Sequence, residues 1–197
     1  MPKNTDVRIG APDQKVTGAI KHAPVGTALP DLTDITKAAV TLNQAFTGDE
    51  YVSEDGLTLS PSRSTTEIKD WSGSTVRKVL ESFDGTLSWT MISTNEGALS
   101  IAFGADHVTT AAATAAHGAQ VKAALGAYLP EAQAWVFLMK DGDARIVIAV
   151  PDGQITEVGE VTFASNAAVG WNVTLSCYPD ANGNSIYIMT DDGVVTA

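Results

Sequence analysis

Cysteine is almost missing from this chain. Its 197 residues include one, Cys177, which excludes a disulfide framework within the chain and a cysteine zinc site. Positive charge is scarce as well. Lys and Arg number 12 against 23 Asp and Glu, a formal net charge of −11. A sequence-independent grip on nucleic acid needs clustered cations, and so does docking on anionic lipid. No long apolar run exists either. The longest stretch without a formal charge, 161–179, is broken by Thr162, Ser165, Asn166, Gly170, Asn172, Thr174 and Ser176, whereas a membrane helix needs ~20 mostly apolar residues. The segment from Met1 to Arg8 has no apolar run of the signal-peptide kind. The expectation is a soluble protein made in a cytoplasm that tolerates a free thiol, with no membrane partner.

Hydrophobic residues make up 44% of the chain and charged ones only 18%, so it can bury a core and is no disordered tail. The length suits one domain. Residues 1–30 hold Pro12, Pro24, Pro30, Gly10, Gly18 and Gly26 with little periodicity and read as an N-terminal arm. Residues 31–190 read as one β domain, and 191–197 as a short tail.

Turn dipeptides punctuate that domain: Asp55-Gly56, Asp84-Gly85, Asp141-Gly142, Asp152-Gly153, Asn182-Gly183 and Asp192-Gly193. Each suits a hairpin turn that needs positive φ. Between them, side chains alternate with the period of a half-buried strand. Leu87, Trp89 and Met91 oppose Thr86, Ser88 and Thr90; Trp135, Phe137 and Met139 repeat the pattern; Trp171, Val173, Leu175 and Cys177 share one face. Ile155, Val161 and Phe163 are expected to share another, and the run from Arg145 to Val150, apolar on both faces, belongs mid-sheet. One helix is expected, opened by a capping box of Ser93 and Glu96 and stopped by Gly104. Residues 108–129 are ambiguous between helix and strand.

Catalytic and metal signatures are lacking: there is no G-x-S-x-G, no G-x-x-x-x-G-K and no H-E-x-x-H. His22, His107 and His117 read as solvated loop histidines, and Cys177 as a buried, inert thiol. Asp180, Asn182 and Asn184 faintly resemble a calcium loop, but Asn182-Gly183 fits a hairpin turn better. No catalytic residue, metal ligand or cofactor is expected.

The order of motifs carries more. Leu42-Asn-Gln-Ala-Phe46 precedes Tyr51-Val-Ser-Glu-Asp-Gly56, then Ser64-Thr-Thr-Glu-Ile-Lys-Asp-Trp71, Gly73-Ser-Thr-Val-Arg77 and Glu81-Ser-Phe-Asp84. Later come Lys140-Asp-Gly142, Gly153-Gln-Ile-Thr-Glu-Val158, Phe163-Ala-Ser-Asn166 and Gly170-Trp-Asn-Val-Thr-Leu-Ser176. This order resembles the major tail protein, or tail tube protein, of long non-contractile-tailed bacteriophages, especially those of actinobacteria. The resemblance implies a mainly β, antiparallel sandwich or barrel with one flanking α-helix and a long inter-strand stacking loop. It implies a structural virion protein, not an enzyme. Its hexameric rings, assembled in the host cytoplasm, would stack into a hollow tail tube through which DNA is ejected. Further implied partners are a tape measure protein and tail terminator or tip proteins. The immunoglobulin-like domain that many relatives add is not expected within these residues.

By position, the stacking loop falls within residues 57–74, with Ser62, Arg63, Glu67, Lys69, Asp70 and Trp71 as its contact residues. It is expected to be mobile in the free subunit and ordered between rings. A negative lumen would repel phosphate and keep DNA moving. The acidic residues on or beside the strands are Glu50, Glu54, Glu67, Glu81, Asp84, Glu157 and Glu160. Of these, the strand-borne Glu81, Glu157 and Glu160 are the candidates for the wall. Two competing readings differ in class. One is a carbohydrate- or cell-surface-binding β-sandwich module, which would use the four Trp; the other is a small hydrolase resting on unplaced carboxylates.

Overall fold

The computed structural model describes residues 7–13 and 18–195. The fold is mainly antiparallel β with one α-helix. In chain order the elements are β1 (Ile20–Pro24), β2 (Val52–Lys69), β3 (Thr75–Met91), α1 (Glu96–Phe103), β4 (Val108–Ala111), β5 (Gln120–Ala123), β6 (Gln133–Asp141), β7 (Ala144–Val158), β8 (Trp171–Tyr178) and β9 (Tyr187–Asp191). Seven strands form the main sheet in the order β1-β6-β7-β8-β3-β2, with β9 also paired to β7. The ambiguous 108–129 stretch contains the small β4–β5 pair.

Strand β7 organises the sheet. Its first half lies between β6 and β9, and its second half runs along β8. Alternation aims Leu87, Trp89, Met91, Trp135, Phe137, Val150, Ile155, Val173 and Leu175 into one cluster, closed by Ala98, Ile101 and Ala102 of α1. Each fully buried large side chain contributes ~1.5–3 kcal/mol. Trp89 sits edge-on to Phe137 at 5.4 Å and tilted against Trp135 at 5.5 Å. The opposite face of β6 and β7 is buried too. Ala134, Val136, Leu138, Val147 and Ala149 lie under Ile35 and Phe46, so β6 and the run from Arg145 to Val150 are apolar on both faces.

Several expectations need correction. Asp141-Gly142 and Asn182-Gly183 do form turns, with φ of +60° and +80° at the glycines, but Asp84-Gly85 and Asp152-Gly153 lie inside β3 and β7. There glycine serves close packing. A Cβ on Gly85 would meet the Ile186 side chain at 2.6 Å, and one on Gly153 would meet Leu175 at 3.0 Å. Asp55-Gly56 falls within β2, where the register shifts between Val52 and Leu57. The helix cap is Asn95, whose side chain accepts from the Ala98 N–H at 2.9 Å. The Ser93 hydroxyl instead accepts from the Tyr51 N–H at 3.0 Å. Gly104 does end the helix with positive φ, +85°. Strand β7 stops at Val158, so Val161 and Phe163 share no strand face with Ile155, and Phe163 is exposed.

The presumed arm is largely part of the domain. Residues 1–6 and 14–17 lie outside the described residues. The rest folds back on its own sheet. β1 pairs with β6, burying Ile20 and Ala23, and Pro12 bridges Met139. Asp13 is buried against the Arg145 guanidinium. Arg145 also donates to the carbonyls of Thr36 at 2.7 Å, Lys37 at 3.2 Å and Ala38 at 2.9 Å. His22 is likewise no solvated loop residue. It sits in β1 with its ring 5.2 Å from Trp135, and burial lowers its pKa, opposed by a hydrogen bond to the Gln133 side chain and reinforced by Lys21 nearby.

Candidate assembly surfaces

Two surfaces stand out. The first is the outer part of the β2–β3 hairpin. β8 covers β3 only from Met91 back to Gly85, which pairs with Cys177. Beyond Gly85 the two strands run on together from the Pro61–Gly85 pair to the Lys69–Thr75 pair. Every residue of 60–84 is exposed. Ten residues of strand at ~3.3 Å each give an arm of roughly 33 Å. The segment expected as a loop, 57–74, is therefore the outer length of β2 and the tight turn that leads into β3.

The arm is held by its own side chains. Glu67 meets Lys78 at 3.0 Å and accepts from the Thr75 hydroxyl at 3.1 Å. Glu81 accepts from the Ser64 hydroxyl at 3.1 Å and from that of Thr66, and these bonds lower its pKa. Arg63 lies over the Phe83 ring, 5.5 Å from its centroid. At the tip, Asp70 accepts from the Ser72 hydroxyl at 2.6 Å and the Ser74 N–H at 2.8 Å, which holds its carboxyl below the usual range, the hydroxyl contributing most. Such exposed contacts add little to stability, and a lone two-stranded hairpin is marginal in water. Yet the arm displays Ile68, Val76, Val79, Leu80 and Phe83, and Trp71 is fully exposed at the tip. Its charges balance: Arg63, Lys69, Arg77 and Lys78 against Glu67, Asp70, Glu81 and Asp84. The whole net charge of −11 therefore resides in the rest of the chain.

The second surface is the outward face of the sheet across β2, β3, β8 and the end of β7. Because Leu87, Trp89, Val173 and Leu175 point inward, their neighbours point out. Register pairs Thr86 with Ser176, Ser88 with Thr174 and Thr90 with Asn172, with Thr58 and Ser60 beside them on β2. The side chains interlock: Thr156 and Ser176 hydroxyls are 2.8 Å apart, and Asn172 donates to Thr90 at 3.0 Å. These paired positions are hydroxyls and an amide, with Glu157 opposite Thr174 and exposed.

The sequence-predicted residues divide between these places. Ser62, Arg63, Glu67, Lys69, Asp70 and Trp71 are together on the arm. Glu81 is on the arm as well, bonded to its neighbours. Glu157 is on the polar face at the bulge in β7. Glu160 lies past the end of β7 and is exposed but not strand-borne. Glu50 is buried beside the start of α1. The polar face was legible as the alternation of Thr86, Ser88 and Thr90, but its extension onto β8 needed the register.

Elsewhere the chemistry is quiet. Cys177 is buried and its thiol is pushed up to about 12 by desolvation. Among the described residues no three His, Cys, Asp or Glu side chains group to hold a metal ion, and no helix is long and apolar enough to cross a membrane. Asp180 accepts from the Tyr187 hydroxyl at 2.6 Å and from the Asn182 and Asn184 N–H groups at 2.8 and 3.0 Å, so it organises a turn. Trp89 and Trp135 are buried and Trp171 is half-buried. That leaves Trp71 alone fully exposed and removes the main ground for a sugar-stacking platform.

Residues 3–197 match a family described as phage tail tube protein. No curated protein matches the chain. Among solved structures, the tube-terminating cap of the anti-feeding prophage is similar at 13% identity and a TM-score of 0.46, with 94% of each chain covered. A chain of the native gene transfer agent virion is similar at 11% identity and a TM-score of 0.40, covering 75% of this chain and 92% of that one.

Proposed function

This chain belongs to the phage tail tube protein family, a structural component of phage tails, and from that premise we propose that it forms hexameric rings that stack into the hollow tube of a long non-contractile tail. The carrying observation is the β2–β3 arm. It extends roughly 33 Å from the body without a third strand and displays apolar side chains, including Trp71, to solvent. A segment that gains so little within its own subunit has its use against another. Ring-to-ring contact through Ser62, Arg63, Glu67, Lys69, Asp70 and Trp71 gives it that use. The net-neutral arm also lets subunits approach whose bodies repel one another.

The polar sheet face is the proposed lumen wall. None of these paired positions carries a cation to attract phosphate, and Glu157, with Glu160 beyond the strand, adds repulsion. Glu81 belongs to this acidic set only if the base of the arm borders the lumen. Closure of rings would also pair strand edges that otherwise invite aggregation. Tape measure, terminator or tip proteins and the exiting DNA are the partners this role entails, and the protein is non-enzymatic. Electron microscopy of the purified chain tests the reading: tubes or stacked rings support it, and a protein that stays monomeric at high concentration, alone and with phage tail components, overturns it.

A further inference from the structure

The β2–β3–β8 part of the sheet has two ends, and the arm leaves from one of them. At that end Gly85 pairs with Pro61 and Cys177; at the other, Met91 pairs with Val52 and Trp171. At ~3.3 Å per residue the two ends lie roughly 20 Å apart along β3. The far end leaves apolar side chains in solvent. The Ile92 N–H donates to the Tyr51 carbonyl at 2.9 Å, and Phe163 stands edge-on to Trp171 with ring centroids 6.4 Å apart. Tyr51 is 71% exposed, Ile92 40% and Phe163 75%. The segments that carry them bring exposed carboxylates: Glu54 and Asp55 where the register of β2 shifts, Glu96 at the start of α1, and Glu160 past β7. Residues 49–56, 92–96 and 159–171 contain no Lys or Arg.

The arm carries the complement on one of its sides. Cross-strand partners share a face, so the register divides the arm in two. Arg63 pairs with Phe83, Thr65 with Leu80, Glu67 with Lys78 and Lys69 with Thr75, all on the side that continues from the core-facing Leu59–Leu87 pair. Contacts agree, since Lys78 and Thr75 both reach Glu67. This side shows Phe83 and Leu80 with Arg63, Lys69 and Lys78, against Glu67 alone. The other side continues from the Ser60–Thr86 pair and bears Ser62, Ser64, Thr66 and Ser82, with Glu81 and Asp84 against Arg77. The neutral arm is therefore apolar and cationic on one side, hydroxylated and acidic on the other. In a head-to-tail stack of identical subunits, what leaves one end of a copy meets the opposite end of the next. The β2–β3 ladder also carries the arm away from its own far end. We infer that the far end of a second copy, around Tyr51, Ile92 and Phe163, receives the cationic side of the arm. Phe83 and Leu80 meet its apolar side chains, and Arg63 and Lys69 meet Glu54, Asp55 and Glu160. The inference rests on the stacking role of the arm and names its receptor; the hydroxylated side stays free to continue the polar sheet face.

A reciprocal charge exchange in the full chain tests this, read by sedimentation as the critical concentration for polymerisation at low salt. Arg63→Glu with Lys69→Glu should raise it roughly tenfold by setting like charges together, and so should Glu54→Lys with Asp55→Lys. All four residues are exposed, and circular dichroism checks that each variant folds. Combining the four exchanges should bring the value back to within about threefold of the unmodified protein. Unchanged assembly after the Glu54 and Asp55 exchange, or a combined variant no better than the weaker pair, overturns the inference. A second measurement is independent of charge. With a photoreactive benzophenone amino acid in place of Phe163, cross-links mapped by mass spectrometry are expected in residues 62–84 of another copy. Polymers whose links fall elsewhere overturn the receptor while leaving the stacking role intact. Normal polymers from a chain without the arm, or no polymer from the unmodified chain, overturn both.

Discussion

Removing the arm separates folding from assembly most sharply. Residues 62–84 can be excised by joining Pro61 to Gly85, which already face each other across the ladder, through an Asn-Gly turn of the kind that closes two-residue hairpins. The body loses little. No residue of 60–84 is buried, and the pairs that close the arm, Glu67–Lys78 and Glu81 with Ser64 and Thr66, contact only the arm itself. A two-stranded hairpin without a third strand is marginal in water, so its removal changes the stability of the body little. The expected change in monomer stability is about 1 kcal/mol or less, a Tm shift of ~2–4 °C. A buried-core truncation, by contrast, costs ~2–5 kcal/mol. Thermal melts followed by circular dichroism measure the first quantity and sedimentation measures assembly. A folded monomer that no longer forms stacked rings is expected. Normal tubes from the excised protein, or a loss of more than ~3 kcal/mol of stability, would refute the reasoning.

Three further outcomes are expected. Asp13→Ala leaves the buried Arg145 guanidinium without its carboxylate, and urea denaturation should show a loss of ~3–5 kcal/mol; a loss below ~1 kcal/mol would mean that this N-terminal contact is dispensable. Burial lowers the pKa of His22 in the folded state, so the unfolded chain takes up that proton first. His22 should therefore cost nothing above its ordinary value of 6.5 and destabilise the fold progressively as pH falls below it, and the difference in urea midpoint between wild type and His22→Asn should grow towards acid pH; a constant difference contradicts this. Ser88→Lys with Thr174→Lys places cations on the polar face at directly paired positions, and tubes of this variant should retain DNA at low salt and release it as salt rises; indifference to DNA at low salt would remove that face from the lumen.

Much of the sheet was legible because its strands obey strict alternation. Leu87, Trp89 and Met91, and Val173, Leu175 and Cys177, are all buried on one side. The turn chemistry was less reliable, because glycine has two uses that a dipeptide does not distinguish. Asn182-Gly183 supplies positive φ, whereas Gly85 and Gly153 make room for Ile186 and Leu175. The arm was located by its residues but misread as a loop, since its strands bury neither face and so lack a hydrophobic period. The N-terminal segment was misread for a related reason. Its anchors are Asp13 on Arg145 and a five-residue edge strand, long-range contacts that local patterning does not reveal.

The central claim is that identical copies of this chain build a tube whose wall is the polar sheet face and whose rings are joined by the arm. Electron cryomicroscopy of the assembled full-length protein tests it directly. The expected map has six-fold rings, with Thr86, Ser88, Thr90, Asn172, Thr174 and Ser176 facing the channel and Trp71 reaching the next ring. A closed assembly in which that face points outward, or in which the arm lies within its own ring, would contradict the account.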